Sequence, residues 1–261
     1  KKGLLNLAET GATREALTKT DISNYKIPLP NLVIQNRVAE ILDNYGVLIK
    51  NNTKRISILE QIAEQLYKEW FVRMRFPNYE NTKFIKGIPE EWEMVAFKGS
   101  ELGDNGKSII KIRNITPYTI DVVNCDRFSG VINDRITKFQ LKKGDLLIAM
   151  TGAQIGKVGL MPETEENYYL NQRVGKFFMK KGHSNDIPFV FNIVKSVFFQ
   201  SSIENYAMGA AQPNISGEQI QSIKILLPND KLLEHYSTIA TPIFDEMFNL
   251  INQNENLKKT R

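Results

Sequence analysis

The chain has 261 residues, of which 42% are hydrophobic and 24% charged, a composition typical of a soluble globular protein with one or two folded units. Because no apolar run reaches the roughly 18 residues that span a bilayer, and the single cysteine, Cys125, cannot form an internal disulfide, we expect a cytoplasmic protein without a membrane partner. The formal net charge of +5 permits a nucleic-acid partner but does not require one.

The first predicted elements belong to an internal repeat. Residues 11–31 align without gaps to residues 209–229, an offset of 198 residues, with eight of 21 positions identical. Each copy predicts a short helix capped by Thr18 or Ser216, followed by a short strand at residues 25–29 or 223–227. Since Gln219 stands three residues after Ser216, the second cap has the spacing of a capping box.

A long helix is predicted after each copy, at residues 31–73 and 230–258. The two helices carry apolar seams with the same spacings at the same offset, which indicates that they pack on each other as an antiparallel coiled coil. An alternative is two ordinary amphipathic helices in a bundle. The seam residues, including an asparagine in each helix that could fix the register, are Val38, Ile41, Tyr45, Ile49, Asn52, Ile56 and Leu59, matched by Tyr236, Ile239, Ile243, Met247, Leu250, Asn254 and Leu257.

Between the helices lies a segment with both strand-like and helix-like patterns. Strands are predicted at residues 109–115, 146–150 and 176–179, and an apolar helix runs from about residue 187 to residue 206. The predicted fold class is therefore α+β, with one globular domain and two long helices that form an antiparallel coiled coil.

Patterns for catalysis or metal binding are missing from the sequence. Residues 103–108 resemble a phosphate-binding loop, but Glu101 stands where that loop needs a glycine. The two histidines, His183 and His235, are far apart in the sequence and have no cysteine near them. We expect neither a catalytic nor a metal site.

Polar residues of the central segment form local clusters suited to DNA. Residues 88–228 carry 16 Lys and Arg against 15 Asp and Glu, so a DNA-binding face would depend on clustering rather than bulk charge. Arg113, Gln154, Gln172 and Arg173 are the predicted base contacts, and Lys107, Lys111 and Lys157 the predicted phosphate contacts. The alternative is an ordinary solvated surface, with Gln172 and Arg173 satisfied inside the fold. The full predicted set is Lys107, Lys111, Arg113, Asn114, Gln154, Lys157, Tyr168, Tyr169, Asn171, Gln172 and Arg173, with Gln212 and Asn214 as weaker candidates.

Several runs resemble the specificity subunits of type I restriction–modification enzymes. They are Ile-Pro-Leu-Pro at residues 27–30, Leu-Tyr-Lys-Glu-Trp-Phe-Val at residues 66–72 and Gly-Ile-Pro-Glu-Glu-Trp-Glu at residues 87–93. The layout that the resemblance implies is a remnant of a first target-recognition domain at residues 1–30, a central conserved helix at 31–75, a linker at 76–87, a target-recognition domain at 88–228 and a distal conserved helix at 229–261.

The resemblance also implies a function. Such a subunit reads double-stranded DNA without catalysing a reaction and docks methyltransferase (M) subunits and, in the full complex, restriction (R) subunits. S-adenosylmethionine, ATP and Mg²⁺ would be bound by those partners. Only about 30 residues match a first recognition domain, so we expect a C-terminal portion, a truncated form or a half-subunit that forms a homodimer. The alternative is a structural coiled-coil adaptor whose α+β domain binds protein.

Overall fold

The computed structural model describes residues 18–96, 109–117, 119–127, 139–177, 187–207 and 213–260. The chain divides into two compact units, Lys1–Gly46 and Val47–Arg261, and the boundary falls within a long helix.

The first unit contains helix α1, Lys19–Asn24, and the beginning of helix α2, Leu32–Tyr67. The side chain of Asn31 caps α2, because its oxygen accepts a hydrogen bond from the Ile34 backbone N–H at 3.0 Å. The predicted strand at residues 25–29 does not form, and these residues have no regular secondary structure. A strand needs a neighbouring strand to satisfy its backbone groups, and the described part of this unit provides none.

In the second unit, α2 ends in an aromatic cluster. The helix continues past Tyr67 as one π-helical turn, Lys68–Val72, which buries Trp70 and Phe71. The Phe71 ring lies edge-on to the rings of Phe189 and Tyr236, with centroids 4.9 Å away in each case. The Leu-Tyr-Lys-Glu-Trp-Phe-Val run at residues 66–72 therefore anchors the end of α2 to the domain.

The described residues of the domain form four small sheets. Their strands are β1 Phe84–Ile85, β2 Ile88–Pro89, β3 Glu93–Ala96, β4 Ile109–Ile110, β5 Leu146–Ala149, β6 Val158–Leu160, β7 Tyr169–Leu170, β8 Val174–Phe177 and β9 Lys224–Leu227. The most buried sheet is three-stranded with the order β6-β5-β8 and is antiparallel throughout, while β1-β2 and β3-β9 are antiparallel pairs and β4-β7 is parallel.

The central strand β5 separates two parts of the core. Leu146 and Ile148 belong to a cluster that includes the helices, whereas Leu147 and Ala149 belong to a second cluster that includes Ile110 of β4. This alternation follows from the two-residue period of a strand. Both faces of β5 are thus buried, which gives its ends fixed positions.

The described helices between β8 and β9 are α3, Ile187–Lys195, α4, Val197–Ala207, and α5, Gly217–Ser222. The prediction of one continuous helix to residue 206 was wrong, because the chain bends at Ser196. The Ser196 side chain accepts a hydrogen bond from the Phe199 backbone N–H at 3.2 Å, as an N-cap residue does. The predicted capping box of Ser216 and Gln219 is confirmed.

The prediction of a strand over residues 109–115 was also largely wrong. Only Ile109–Ile110 is a strand, and a 3₁₀ turn follows at Ile112–Asn114. The turn forms because the Asn114 side-chain oxygen accepts a hydrogen bond from the Lys111 backbone N–H at 2.9 Å. The predicted strand at residues 176–179 lies earlier, at Val174–Phe177, and Met179 lies outside the described residues.

Helix α6, Asp230–Thr260, is the second long helix. It contacts α2 through a small apolar cluster that contains Ile56, Met247 and Leu250. Among the residues that the structure describes, no helix is long and apolar enough to cross a membrane.

Candidate nucleic-acid interface

Three chain segments meet where β5 ends. Because β5 is antiparallel to β6 and β8, its last residue lies beside the first residues of both neighbours. The Met150 backbone N–H donates to the Arg173 carbonyl oxygen at 3.0 Å, and the Met150 carbonyl accepts from the Ile215 N–H at 2.9 Å. The segments that contain Arg173 and Asn214 therefore flank the turn after β5.

A fourth segment joins this edge through the parallel pair β4-β7. The carboxyl ends of parallel strands coincide, so Lys111 after β4 lies beside Asn171 after β7. The Asn171 backbone N–H donates to the Ile110 carbonyl oxygen at 3.3 Å. We call residues 111–113, 151–157, 171–173 and 213–214 together the loop edge. The structure thus brings most of the predicted clusters to one edge of the domain.

The turn after β5 is held in place on two sides. Gly152 (φ +77°) and Gly156 (φ +82°) adopt left-handed backbone conformations that favour glycine. The Gly152 backbone N–H donates to the Pro213 carbonyl oxygen at 2.9 Å, and the Gln200 side-chain amide donates to the Gly156 carbonyl oxygen at 3.0 Å. A Cβ atom on Gly156 would lie 2.6 Å from Oε1 of Gln200. Gln200 was not predicted, because an isolated glutamine in an amphipathic helix gives no signal in the sequence.

The exposed predicted residues of the loop edge are Arg113, Gln154, Gln172, Arg173 and Asn214. Gln154 accepts a hydrogen bond from the ammonium group of half-buried Lys157 at 3.2 Å.

A tight turn presents Gln172 and Arg173. The half-buried Asn171 accepts a hydrogen bond from the Arg173 N–H through its side-chain oxygen at 3.2 Å and another from the Val174 N–H through its carbonyl oxygen at 2.9 Å.

Asp126 carries the acidic charge beside this edge. Its carboxylate forms ion pairs with both Lys111 and Arg113. The hydrogen bond from Lys111, together with the charge of Arg113, holds the pKa of the Asp126 carboxyl below its usual range. Asp126 was not predicted, because the predicted clusters consist of cationic, amide and aromatic residues.

Three predicted contact residues point inward. Asn114 is buried, and its amide donates to the carbonyl oxygens of Asp121 at 3.1 Å and Asn124 at 3.2 Å. Tyr168 and Tyr169 are buried as well, and the Tyr168 hydroxyl donates to the Val122 carbonyl oxygen at 3.4 Å. All three side chains are buried, and those of Asn114 and Tyr168 are hydrogen-bonded inside the domain, so their packing gives them a structural role while their contact with DNA stays a prediction.

Two further predicted residues, Lys107 and Gln212, lie outside the described residues, as does the loop at residues 103–108. Within the described ranges, no three acidic, histidine or cysteine side chains are placed to hold a metal ion.

A separate groove lies where the linker meets the start of α6, lined by residues that include Phe76, Trp92 and His235. None of the predicted contact residues lines it.

Comparison with known proteins shows the family of the chain. The family model described as the type I restriction modification DNA specificity domain matches residues 2–61 and 89–260. The chain therefore belongs to this family.

Its relatives include two specificity subunits from Methanocaldococcus jannaschii. The type I restriction enzyme MjaVIII specificity subunit is 30% identical over 248 residues, covering 88% of this chain and 57% of that protein. The putative MjaX specificity subunit is 31% identical over 256 residues, covering 90% and 55%. The chain thus spans little more than half the length of these relatives.

A solved structure shares the fold. The S subunit of a type I restriction–modification system from M. genitalium matches with a TM-score of 0.53 at 13% sequence identity, covering 96% of this chain and 64% of that one.

Proposed function

We propose that this chain is a DNA-reading, non-catalytic specificity subunit of a type I restriction–modification system, and that its loop edge reads one half-site. The observation that carries the proposal is the convergence of amide and guanidinium side chains on turns whose backbones are hydrogen-bonded to the core. Arg pairs with guanine edges and Gln with adenine edges through two hydrogen bonds. Such readout needs hydrogen-bond donors that are held in place. The hydrogen bonds of Gly152 and Asn171 hold the turns that carry these donors.

Different residues would serve bases and phosphates. Arg113, Gln154, Gln172 and Arg173 are exposed and suit base edges, whereas Lys111 and Lys157 are half-buried cations suited to backbone phosphates. Lysine contacts to phosphate position a protein on DNA without carrying sequence information.

The two long helices would act as the scaffold, as an antiparallel coiled coil. Asn52 donates to the Gln253 side chain at 3.3 Å, and Arg55 pairs with Glu246 at 2.6 Å, so residue numbers rise along α2 as they fall along α6. Asn254 donates to the Thr53 hydroxyl at 3.4 Å. The 36 residues of α2 would extend about 54 Å at 1.5 Å per residue. That length would separate two half-sites and offer a surface to methyltransferase subunits.

Catalysis would be carried out by the partner subunits. We propose that methyltransferase subunits bind S-adenosylmethionine, and that restriction subunits in the full complex bind ATP and Mg²⁺. Acting as a half-subunit, the chain would read both half-sites by forming a homodimer. The family membership of the chain supports this arrangement.

Selection from a pool of randomised duplexes tests the proposal, with the chain purified together with a methyltransferase subunit of its system. We expect recovery of a preferred sequence and an affinity that falls steeply with salt, because phosphate contacts release counterions. Recovery of no preferred sequence would instead favour the protein-binding adaptor.

A further inference from the structure

One carboxylate beside the loop edge pairs with two of the proposed DNA-contact residues. Asp126 accepts from the Arg113 guanidinium through Oδ1 and from the Lys111 ammonium through Oδ2. All three side chains are accessible, and Asp126 is 40% exposed. Two like charges are thus kept side by side, and one of them is neutralised before DNA arrives.

The backbone beneath this cluster is fixed independently of the ion pairs. The Asp121 backbone N–H donates to the Asn114 carbonyl oxygen at 2.7 Å, and the buried Asn114 amide returns two hydrogen bonds to the loop at residues 121–124. The turn that carries Arg113 and the loop that leads to Asp126 are therefore joined through buried groups. Asp126 needs only to orient the ends of two long side chains.

Stability does not explain such an arrangement, since exposed ion pairs contribute little to folding. Binding does, because a carboxylate presents two oxygens to a guanidinium much as a phosphate does. While Asp126 occupies these donors, a duplex that offers only phosphates gains less binding free energy from Lys111 and Arg113. A duplex whose base edges match Arg113 still gains binding free energy, since the guanidinium is already oriented and retains further N–H donors.

We propose that Asp126 is a positioning residue for specificity. It orients Arg113 toward the base edges and offsets one positive charge of the loop edge, so that affinity for non-target DNA is lowered more than affinity for the target. This inference rests on the proposed function of the loop edge.

Asp126→Asn tests it, with Glu163→Gln as a charge-matched control. Glu163 is also an exposed acid, but its ion pair within the described part of the chain is with Lys143, which precedes β5 at the opposite end from the loop edge. Each variant of the full chain, with its methyltransferase partner, is titrated with the selected duplex and with a scrambled duplex of the same composition. A Tm equal to that of the parent confirms folding.

We expect Asp126→Asn to bind the scrambled duplex more tightly, with a salt dependence steeper by about one unit, and to lose about tenfold in the ratio of selected to scrambled affinity. Asp126→Glu, which keeps the charge, should restore the salt dependence of the parent. Glu163→Gln should keep the parent's ratio.

Equal ratios for Asp126→Asn, Glu163→Gln and the parent would overturn the role of Asp126 while leaving the proposed function intact. A parent chain that selects no sequence would overturn the proposed function and this inference together.

Discussion

The two copies of the repeat have similar sequences but different surroundings. Their short helices, Lys19–Asn24 and Gly217–Ser222, correspond residue for residue at the offset of 198, and both long helices begin at matched positions. In the second copy β9 pairs with β3 and Ile225 is 9% exposed, whereas Ile27, its counterpart in the first copy, is 66% exposed. Local sequence therefore sets where helices begin and end, while strands and buried faces depend on a partner segment.

The largest contrast is expected along the helix seams. Tyr236 is fully buried, packs edge-on against Trp70 and Phe71 and accepts a hydrogen bond from Asn192, while its counterpart Val38 is 50% exposed. Tyr236→Ala should lower the free energy of unfolding by about 3–5 kcal/mol, as for other buried aromatic residues. Val38→Ala should change it by about 0.5 kcal/mol or less. Urea unfolding of both variants measures the difference, and similar losses would contradict the assigned burial.

The strand copies give a second matched pair. Ile225→Ala should cost about 2–4 kcal/mol because it empties space in the core below β9. Ile27→Ala should be close to neutral, within about 0.5 kcal/mol. A cost at Ile27 as large as that at Ile225 would mean that the first copy has a strand partner in solution.

The capping box of the second copy gives a smaller effect. Ser216 accepts from the Gln219 backbone N–H at 3.1 Å, and the Gln219 side chain accepts in return from the Ser216 N–H at 2.8 Å. Ser216→Ala should lower the free energy of unfolding by about 1 kcal/mol. Ser202→Ala, which removes an exposed hydroxyl bonded only to its own helix, is the control and should be nearly neutral.

The long helices should respond alike to loss of their caps. Asn31 and Asn229 each accept a hydrogen bond from the backbone N–H three residues later, at 3.0 and 2.9 Å. Asn31→Ala and Asn229→Ala should each cost about 0.5–1 kcal/mol of helix stability. Hydrogen exchange in the first turn of each helix measures it. If only one helix loses protection against hydrogen exchange, the two caps do not contribute equally to helix stability.

This comparison shows how much of the fold could be predicted from the sequence. The helices and the Ser216 cap could be predicted from the sequence, because the residues that determine them lie within a few positions of each other. The lack of a strand at residues 25–29 could not be predicted, since the sequence does not reveal whether a partner strand is present. The strand predicted over residues 109–115 follows from the β-branched Ile109, Ile110 and Ile112. The Asn114 side chain instead fixes a turn at residues 112–114, because it accepts from the Lys111 N–H and donates to the carbonyl oxygens of residues 121 and 124.

The candidate site was predicted by segment and only partly by residue. The polar clusters at residues 111–113, 154–157 and 171–173 do reach one edge of the domain. Which side chains turn outward depends on packing, and Tyr168 turns inward to the carbonyl of Val122. Gln200 and Asp126 act on the loop edge from distant positions in the sequence, so no local pattern could have assigned them.

The central claim is that the loop edge reads DNA. The most direct measurement compares site preference and affinity for Arg113→Ala, Gln154→Ala and Arg173→Ala with those for Lys143→Ala, which changes an exposed cation before the start of β5. Each of the three should lose about 1–3 kcal/mol of binding and relax the preference at one base pair, while Lys143→Ala should keep the parent's preference at every position. If the three variants stay folded and retain the parent's affinity and sequence preference, the loop edge does not read DNA.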